Sequence, residues 1–507
     1  MQDNKRLGLH SLMVLLMLST WQLPCPGGFT RNTARDHLLP PFVQPRIDLS
    51  RYKSVQDRPG QNSDLALAVA VSGGGHRAAN FATGVLLALE ESGTNETVSI
   101  LDEVDYFSTV SGGGFAIAAY LSAQHDYLQE HAEESGSKND FSFRAALAEN
   151  DGALLKNLRR DYQITLLEAA ITPECIGFYD AGDLLESKFD KYLLGAEKRG
   201  RSLTLGDIFP ARHSPDPVQL PYWVMNATVY ENGARFFFTP DILERFRVQS
   251  CVHRMSSFEL GEHPSRLPLA VGLKASASFP VLIPATTVGC APGKDELNEY
   301  LHLVDGGLVD NLGIYTAFDL LRQDSASHKV LLVIDAYKGI QQPYSRWRAS
   351  PHGAGMAVRI MKISLDSQNN RFERILAQLN GGLTNAGGSA DVKALLFSFD
   401  ELRPEFIERL DNLDKEAAHA WQDNAKGFAR RLGRELTTLL QDTPLSIEAP
   451  GSDSALYEDA RAIGTSLFIT QAQQELLLEA GSAVVREKSE SLLQLLEGNE
   501  PAAGTEN

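Results

Sequence analysis

The stretch Ser108-Thr109-Val110-Ser111-Gly112-Gly113-Gly114-Phe115 sets a serine between two apolar segments. Residues 104–107 suit a buried strand, and residues 115–122 have the pattern of an apolar helix. A sharp strand-to-helix turn lifts a serine hydroxyl out of the sheet, and the following helix N-terminus favours nearby negative charge. The stretch therefore makes Ser111 a candidate nucleophile, although a serine in such a turn, taken alone, more often caps the helix.

The nucleophile pattern Gly-x-Ser-x-Gly is met on one side of this serine only. Gly113 follows at the expected position and supports the turn, whereas Thr109 stands where the first glycine is expected. A side chain at that place crowds a tight turn. Thr109 is thus the point at which the sequence departs from the pattern.

A similar unit of strand, glycine turn and helix lies earlier in the chain. Residues 65–71 are a continuous apolar run, typical of a fully buried parallel strand. Ser72-Gly73-Gly74-Gly75-His76-Arg77 follows directly, and a helix is predicted over about 78–92. Two such units in a row predict an α/β fold with sites at the carboxyl ends of the strands.

The glycine turn has two chemical interpretations. Gly73, Gly75 and Ala78 match a dinucleotide fingerprint, but the next predicted strand ends without the carboxylate that would bind a ribose. A phosphate-binding P-loop is excluded because no Gly-Lys-Ser or Gly-Lys-Thr follows. The other interpretation is an oxyanion hole, in which amides of Gly73, Gly74 and Gly75 converge on a developing negative charge and Arg77 buttresses the loop. A turn needed only for packing is the third possibility.

An aspartate further along the chain completes the candidate chemistry. Residues 299–304 predict a strand that delivers Asp305-Gly306-Gly307 at its carboxyl end. A carboxylate there can take the proton of a nearby serine, although Asp305 could also cap the turn, and Asp335 ends a buried strand as well. A triad through His76 or His302 is possible, but His302 should point away from Asp305 on the same strand. We expect a dyad of Ser111 and Asp305, with Gly306 supporting the turn.

Composition limits the function classes. The chain has 507 residues, 43% hydrophobic and 22% charged, with a formal net charge of −18. That charge argues against nucleic-acid binding and against electrostatic docking on anionic lipid. Its four cysteines, Cys25, Cys175, Cys251 and Cys290, fit no zinc pattern. We expect no metal and no cofactor.

The sequence divides into five parts. Lys5 and Arg6 before the apolar run 7–18 indicate a secretory signal or an N-terminal anchor, so export or membrane association is expected. The mostly helical pattern after residue 339 predicts a helical region that packs on the catalytic domain. The predicted parts are 1–25 (signal or anchor), 26–62 (linker or extended arm), 63–338 (catalytic domain), 339–496 (helical region) and 497–507 (disordered tail).

The motifs occur in an order that resembles one known family. Ser72-Gly73-Gly74-Gly75-His76-Arg77, Val110-Ser111-Gly112-Gly113-Gly114 and Asp305-Gly306-Gly307 are similar to the motifs of the patatin-like phospholipases. The segments Asn226-Ala227-Thr228 and residues 275–280 are similar to family segments in the same order. The resemblance covers about residues 65–325. Ala78 departs from the glycine that often follows the loop arginine.

The resemblance implies both a fold and an activity. It implies a three-layer α/β fold, a sheet with helices on both faces, followed by the mostly helical C-terminal extension. Carried over by position, Ser111 is the nucleophile, Asp305 the base, and Gly73 to Gly75 the oxyanion loop. The implied function is a serine lipid acyl hydrolase of phospholipase A or lysophospholipase type, with a phospholipid or other acyl-ester lipid at a membrane surface as partner.

Two alternatives to this activity remain open. One is a lipid-binding protein of the same fold that does not turn over its ligand, which Thr109 permits. The other is a dinucleotide-dependent enzyme. Headgroup, acyl position and chain length depend on the walls of the pocket, and the sequence does not determine them.

Overall fold

A computed structural model describes most of the chain between residues 46 and 497. Several predicted segments lie outside the described residues: the signal or anchor, most of the arm, residues 338–391 and 421–466 of the helical region, and nearly all of the tail. The described residues are 46–55, 62–93, 98–131, 140–169, 181–214, 218–253, 257–280, 282–291, 299–337, 392–402, 404–420 without 405, 415, 418 and 419, and 467–497.

The described strands form one mixed sheet. In chain order they are β1 (Leu65–Val71), β2 (Val104–Val110), β3 (Tyr222–Val229), β4 (Arg235–Phe237), β5 (Val248–Val252), β6 (Ser257–Glu259), β7 (Thr286–Cys290), β8 (Glu299–Asp305), β9 (His328–Asp335) and β10 (Val392–Ser398).

The sheet has a parallel half and an antiparallel half. Its strand order is β10-β9-β1-β2-β3-β8-β7-β5-β6, and β4 pairs with β3 outside this path. From β10 to β3 the neighbouring strands are parallel. From β3 to β6 the neighbours are antiparallel. The change of direction therefore falls at β3, between the strands that carry the predicted nucleophile and base.

The helices surround this sheet. They are α1 (Gly75–Glu91), α2 (Gly113–Glu130), α3 (Phe143–Asn157, interrupted at 149–152), α4 (Tyr162–Ala169), α5 (Ala181–Tyr192), α6 (Ala196–Arg199), α7 (Leu205–Ile208), α8 (Pro240–Arg245), α9 (Leu269–Ser276), α10 (Gly307–Asp310), α11 (Ile314–Gln323), α12 (Gln471–Glu487) and α13 (Ser489–Leu496).

Both faces of the central strands are covered. Every residue of β1 and of β2 is buried, as expected for parallel strands between two helical layers. The chain moves from β1 to β2 through α1 and back from β8 to β9 through α11, which packs on β1, β2 and β9. Because alternate side chains of a strand point to opposite faces of the sheet, the burial of every residue in β1 and β2 shows that both faces are covered. The predicted three-layer α/β architecture is confirmed.

The C-terminal region differs in one respect from the prediction. Residues 392–398, placed in a helical extension, instead form β10, which pairs in parallel with β9 over its whole length. The helix α12 lies directly on α1. The sheet therefore extends beyond residue 338, and the C-terminal region packs on the same sheet and helices as the two glycine turns.

Part of the predicted arm is also packed. Ile47, Tyr52 and Val55 are buried. The Tyr52 hydroxyl donates a 2.6 Å hydrogen bond to Oδ1 of Asp241, and the Asp241 amide donates back to that hydroxyl at 3.0 Å. Residues 46–55 thus belong to the folded body.

Candidate active site

Ser111 lies in the turn between β2 and α2 and is buried, with 4% of its surface exposed. Its φ of 51° is in the left-handed region, which costs a residue with a side chain conformational energy. Its amide donates a 2.9 Å hydrogen bond to Oγ of Ser276, at the end of α9. The backbone is therefore held in a strained turn that presents the serine side chain at the carboxyl edge of the sheet.

Asp305 ends β8 beside the same part of the sheet. Val110, just before the serine, pairs with Asn226 of β3, and Asp305 pairs with the next residue, Ala227. The Oδ1 atom of Asp305 accepts a 2.8 Å hydrogen bond from the Gly307 amide. Burial raises the pKa of Asp305 to about 7, and the Gly307 amide opposes that rise. A carboxylate with such a pKa can take a proton near neutral pH.

The second carboxylate oxygen of Asp305, Oδ2, has a different environment from Oδ1. Oδ2 is buried without a hydrogen bond of normal geometry. The Ser111 hydroxyl nevertheless lies near enough to lower the pKa of the carboxyl, against the larger effect of burial. Catalytic hydrogen bonds are commonly loose before substrate binds and shorten in the complex. The Ser111 hydroxyl and the Asp305 carboxyl group therefore lie near each other.

The glycine turn after β1 lies against this pair. Gly74 has a φ of 145° and Gly75 a φ of 59°, conformations that a side chain would strain. The Gly73 amide donates a 3.0 Å hydrogen bond to the carbonyl of Asn311. The amides of Gly74 and Gly75 have no acceptor among the described residues. Of the three glycines predicted for the oxyanion hole, these two present amides that are free to bind an anion.

The two glycine turns interlock through their backbones. A Cβ on Gly112 would overlap the backbone of Gly75, and a Cβ on Gly113 would come within 2.5 Å of the Ser72 carbonyl oxygen. The predicted supporting role of Gly113 therefore has a steric basis. The glycines let the serine turn approach the amides of the first turn.

Thr109 fits as an ordinary strand residue. It is fully buried, pairs with Val71 on one side and Met225 on the other, and its Oγ1 accepts a 2.9 Å hydrogen bond from Nε1 of Trp223. The side chain expected to crowd the turn instead satisfies a buried indole. The φ of Ser111 provides the turn without a glycine at position 109.

The other two residues predicted to support the site, Arg77 and Gly306, contact the backbone of neighbouring segments. Arg77 donates from Nε to the carbonyl of Ala336 at 2.9 Å, and so ties α1 to the end of β9. Gly306 lies against the backbone of Asn226, where a Cβ would overlap the carbonyl group. Both residues fix loops around the pair of Ser111 and Asp305.

The two candidate histidines lie away from this pair. His302 is half exposed and bonds Glu231 through Nδ1 at 2.6 Å. His76 is buried, its Nε2 lies 2.7 Å from the carbonyl of Arg160, and burial lowers its pKa to about 4. Asp335 accepts from the Tyr337 amide at 2.8 Å, as a turn cap does.

Three residues of the site had no role predicted from the sequence. Ser276 accepts the hydrogen bond of the Ser111 amide, and Asn311 accepts that of Gly73. The Nδ2 of Asn226 donates to the Ser108 hydroxyl at 2.9 Å and the Thr109 carbonyl at 3.0 Å. Only their positions within or next to the recognised motifs pointed to them, because each acts through contacts between distant segments.

Neither a metal cluster nor a membrane span is found within the described part of the chain. Its His, Cys, Asp and Glu side chains include no group of three that could hold a metal ion. None of its helices is long and apolar enough to cross a membrane.

The fold and site define a class: an α/β protein with a serine on a strained strand-to-helix turn, a buried carboxylate beside it, and a glycine turn against both. The sequence model of the patatin-like phospholipase family matches residues 69–318. Residues 69–318 therefore form a domain of this family. The family model is named for phospholipases, which hydrolyse lipid esters.

Solved structures also resemble the chain. Human GIVD cytosolic phospholipase A2 is 12% identical, with a TM-score of 0.40 over 86% of this chain and 60% of that one. VipD from Legionella pneumophila is 12% identical, with a TM-score of 0.23 over 91% of this chain and 93% of that one. The chain spans about 60% of the human protein's length. No curated protein sequence matches significantly.

Proposed function

We propose that the protein is a serine lipid acyl hydrolase of phospholipase A or lysophospholipase type, with Ser111 as nucleophile and Asp305 as base. One observation carries the proposal. The strained serine turn and the buried carboxylate, whose Oδ2 has no hydrogen bond of normal geometry, lie beside consecutive residues of β3. A buried carboxylate oxygen without a hydrogen bond is left able to accept a proton. Nearby Asp310 accepts from the amides of Ile314 and Tyr315.

The first half of the reaction forms an acyl-enzyme. Asp305 accepts the Ser111 proton as Oγ attacks the carbonyl carbon of a fatty-acyl ester. The tetrahedral intermediate collapses when the ester C–O bond breaks, and Asp305 returns its proton to the departing alkoxide. The raised pKa of Asp305 suits both transfers, since the group is half protonated near pH 7.

The glycine turn stabilises the negative oxygen of that intermediate. We assign this role to the amides of Gly74 and Gly75 at the N-terminus of α1, with Gly73 holding the loop through Asn311. Losing one such donor typically costs about 3–4 kcal/mol of transition-state stabilisation. Arg77 supports the loop through the carbonyl of Ala336.

The second half of the reaction releases the fatty acid. Asp305 takes a proton from a water molecule, the hydroxide attacks the acyl carbonyl, and the bond from Ser111 Oγ to carbon breaks. The serine oxygen recovers its proton from Asp305. No other protein group is needed to balance the protons.

We also propose that the protein binds its substrate at a membrane surface. The apolar run at residues 7–18, preceded by Lys5 and Arg6, supports export or membrane association. The substrate is then a phospholipid or another acyl-ester lipid at a membrane surface. The net charge of −18 favours contact through apolar groups over attraction to anionic lipid.

The test combines labelling with hydrolysis. Full-length protein is treated with a fluorophosphonate probe and assayed on a panel of phospholipids, lysophospholipids and neutral acyl esters. We expect labelling and ester hydrolysis by the natural protein, and neither by Ser111→Ala. The matched control is Ser489→Ala, whose hydroxyl bonds a helix carbonyl far from the site in sequence.

Each alternative has its own result. Hydrolysis that survives in Ser111→Ala, with the fold intact, overturns the dyad. Lipid binding without labelling or turnover indicates a lipid-binding protein. A rise in melting temperature with nicotinamide or flavin nucleotides indicates a dinucleotide enzyme.

A further inference from the structure

The C-terminal helix α12 touches the backbone of α1, the helix that begins at the oxyanion loop. A Cβ on Gly84 of α1 would overlap the backbone of Leu478, and a Cβ on Gly481 of α12 would overlap that of Phe81. Helix backbones approach this closely where small residues such as glycine lie at the contact. α12 lies outside the family-matched residues 69–318. A segment beyond the matched domain therefore packs against the helix of the candidate hole.

A buried chain of hydrogen bonds runs from α12 toward the loop. Nε2 of Gln474 donates to Oδ1 of Asn80 and to the carbonyl of Leu155, each at 2.8 Å. Nδ2 of Asn80 donates to the carbonyls of His76 at 2.8 Å and Leu158 at 3.1 Å. Both amide side chains are almost fully buried. Such a network is rigid because each broken bond leaves a buried polar group unsatisfied.

His76 joins this chain to the glycine turn. It follows Gly75 directly, and its buried ring packs against both Phe115, at a centroid distance of 6.0 Å, and Tyr162, at 5.5 Å. Nε2 donates to the Arg160 carbonyl at 2.7 Å, since a carbonyl can only accept. Burial lowers the pKa of His76 to about 4, so the ring is neutral at physiological pH. In the first turn of α1, the carbonyl of His76 therefore accepts a hydrogen bond from Asn80, and its side chain donates one to the carbonyl of Arg160.

We infer that Gln474, Asn80 and His76 are positioning residues that hold the Gly74 and Gly75 amides of the oxyanion loop from the C-terminal helix. The first amides of a helix have no partner within it, so their direction depends on what holds the first turn. Small displacements of a catalytic donor lower the rate strongly. The inference rests on the proposed function for its kinetic consequence.

The chain supplies a matched control. Oγ of Ser482 donates to the carbonyl of Gly84 at 2.9 Å and joins the same two helices. Gly84 lies roughly 13 Å along α1 from Gly75, against roughly 8 Å for Asn80. Removing this bond loosens the contact between the helices without touching the first turn.

The experiment compares full-length Gln474→Met with Ser482→Ala. Methionine keeps the volume of the side chain and removes the two donated bonds. On a soluble short-chain acyl ester we expect Gln474→Met to lower kcat about tenfold with KM within about twofold. Ser482→Ala should keep kcat within about twofold. The melting temperature of each variant shows whether it is folded.

A second variant covers the case in which Gln474→Met does not fold. His76→Phe keeps a ring packed against Phe115 and Tyr162 and removes the hydrogen bond to the Arg160 carbonyl. It is expected to lower kcat in the same way, again with KM little changed. Hydrogen exchange of residues 72–80 is followed in all variants and should quicken in Gln474→Met and His76→Phe only.

Two results overturn the inference. One is an unchanged kcat and unchanged exchange in both positioning variants, and the other is an equal loss in Ser482→Ala. Failure of the proposed function is distinct, because it appears as missing hydrolysis by the natural protein or hydrolysis by Ser111→Ala. In that case the exchange of residues 72–80 still decides whether the loop is held from α12.

Discussion

The turns after β1 and β2 have the same plan but opposite uses of positive φ. In the first, the left-handed conformations fall on Gly74 and Gly75, and the turn presents backbone amides. In the second, the left-handed conformation falls on Ser111. There the turn presents a side chain, although three glycines follow immediately. The same motif of strand, glycines and helix therefore presents either backbone amides or a serine side chain, according to which residue carries the left-handed conformation.

The two turns are in direct contact. The backbone of Gly112 touches that of Gly75, and Gly113 lies against Ser72. A serine elbow elsewhere in the sheet would have no amides beside it. The comparison predicts different effects for two kinds of substitution. Relieving the strain at Ser111 should raise stability while it removes activity. Adding strain or volume at Gly75 or Gly112 should lower stability.

The largest effect is expected for Ser111→Gly. This change removes the nucleophile and relieves the φ of 51°. Hydrolysis should fall roughly 10⁴-fold or more, while the free energy of unfolding rises by about 1 kcal/mol. Kinetics and urea unfolding measure the two. The mirror change Gly75→Ala adds strain at a φ of 59° and should lower stability; a stability loss in Ser111→Gly would contradict the comparison.

Asp305→Asn comes next. Asparagine keeps the acceptor for Gly307 and cannot act as a base, so hydrolysis should fall on the order of 10³-fold. The folded pKa of about 7 lies above the unfolded value, so the natural protein loses stability as pH rises from about 4 to 7. The variant lacks this loss. It should be more stable than the natural protein at pH 8, by on the order of 2–4 kcal/mol, and similar at pH 4.

Urea unfolding at both pH values checks this prediction. The control is Asp319→Asn, which removes a partly exposed carboxylate paired with Arg235. It should show no such pH-dependent gain. Equal stability of Asp305→Asn and the natural protein at pH 8 would show that the buried carboxylate is not costly to ionise.

Gly112→Ala tests the interlock between the turns. The new methyl group would overlap the backbone of Gly75, so the turns must separate. We expect kcat to fall about 100-fold and the free energy of unfolding to fall by about 1–3 kcal/mol. Gly206→Ala is the control, because its nearest atom would be a carbonyl oxygen 3.3 Å away. Full activity of Gly112→Ala would show that hydrolysis does not depend on the close contact between the two turns.

The pH dependence of the natural protein is a smaller effect. Asp305 acts as a base only when ionised, and burial raises its pKa to about 7. The kcat/KM should therefore rise about tenfold per unit up to about pH 7 and then level off. A profile that levels off near pH 4 would mean that the base is an ordinary exposed carboxylate.

The smallest effect on activity is expected for Thr109→Gly, which restores the glycine of the usual pattern. Thr109 is a buried strand residue that accepts the Trp223 indole hydrogen. Its loss should lower the free energy of unfolding by about 1–3 kcal/mol and change kcat by only a few-fold. Thr109→Ser, which keeps the hydroxyl, is the control. A large gain in activity would mean that threonine does crowd the elbow.

The local sequence pattern was enough to predict the strands that surround the candidate site. The strand over residues 65–71 and the hairpin near 222–237 follow from apolar runs bounded by turn residues. The family resemblance and the three-layer fold were predicted from the same local motifs, and both predictions are confirmed. β10 was missed because its residues form a strand only by pairing with β9, some sixty residues earlier in the chain. The roles of Ser111 and Asp305 stay a prediction that the experiments above decide.

Local residues also determined which chemical groups reach the carboxyl edge of the sheet: a serine before glycines, a glycine turn at a helix start and an aspartate at a strand end. Tertiary structure decided how they are used. It engaged the Gly73 amide with Asn311, gave Thr109 an indole partner, and buried Asp305 so that its pKa rises to about 7. The physical reason is that φ preferences and apolar periodicity act between neighbouring residues, whereas burial, hydrogen-bond partners and backbone contacts depend on segments that meet only in the folded chain.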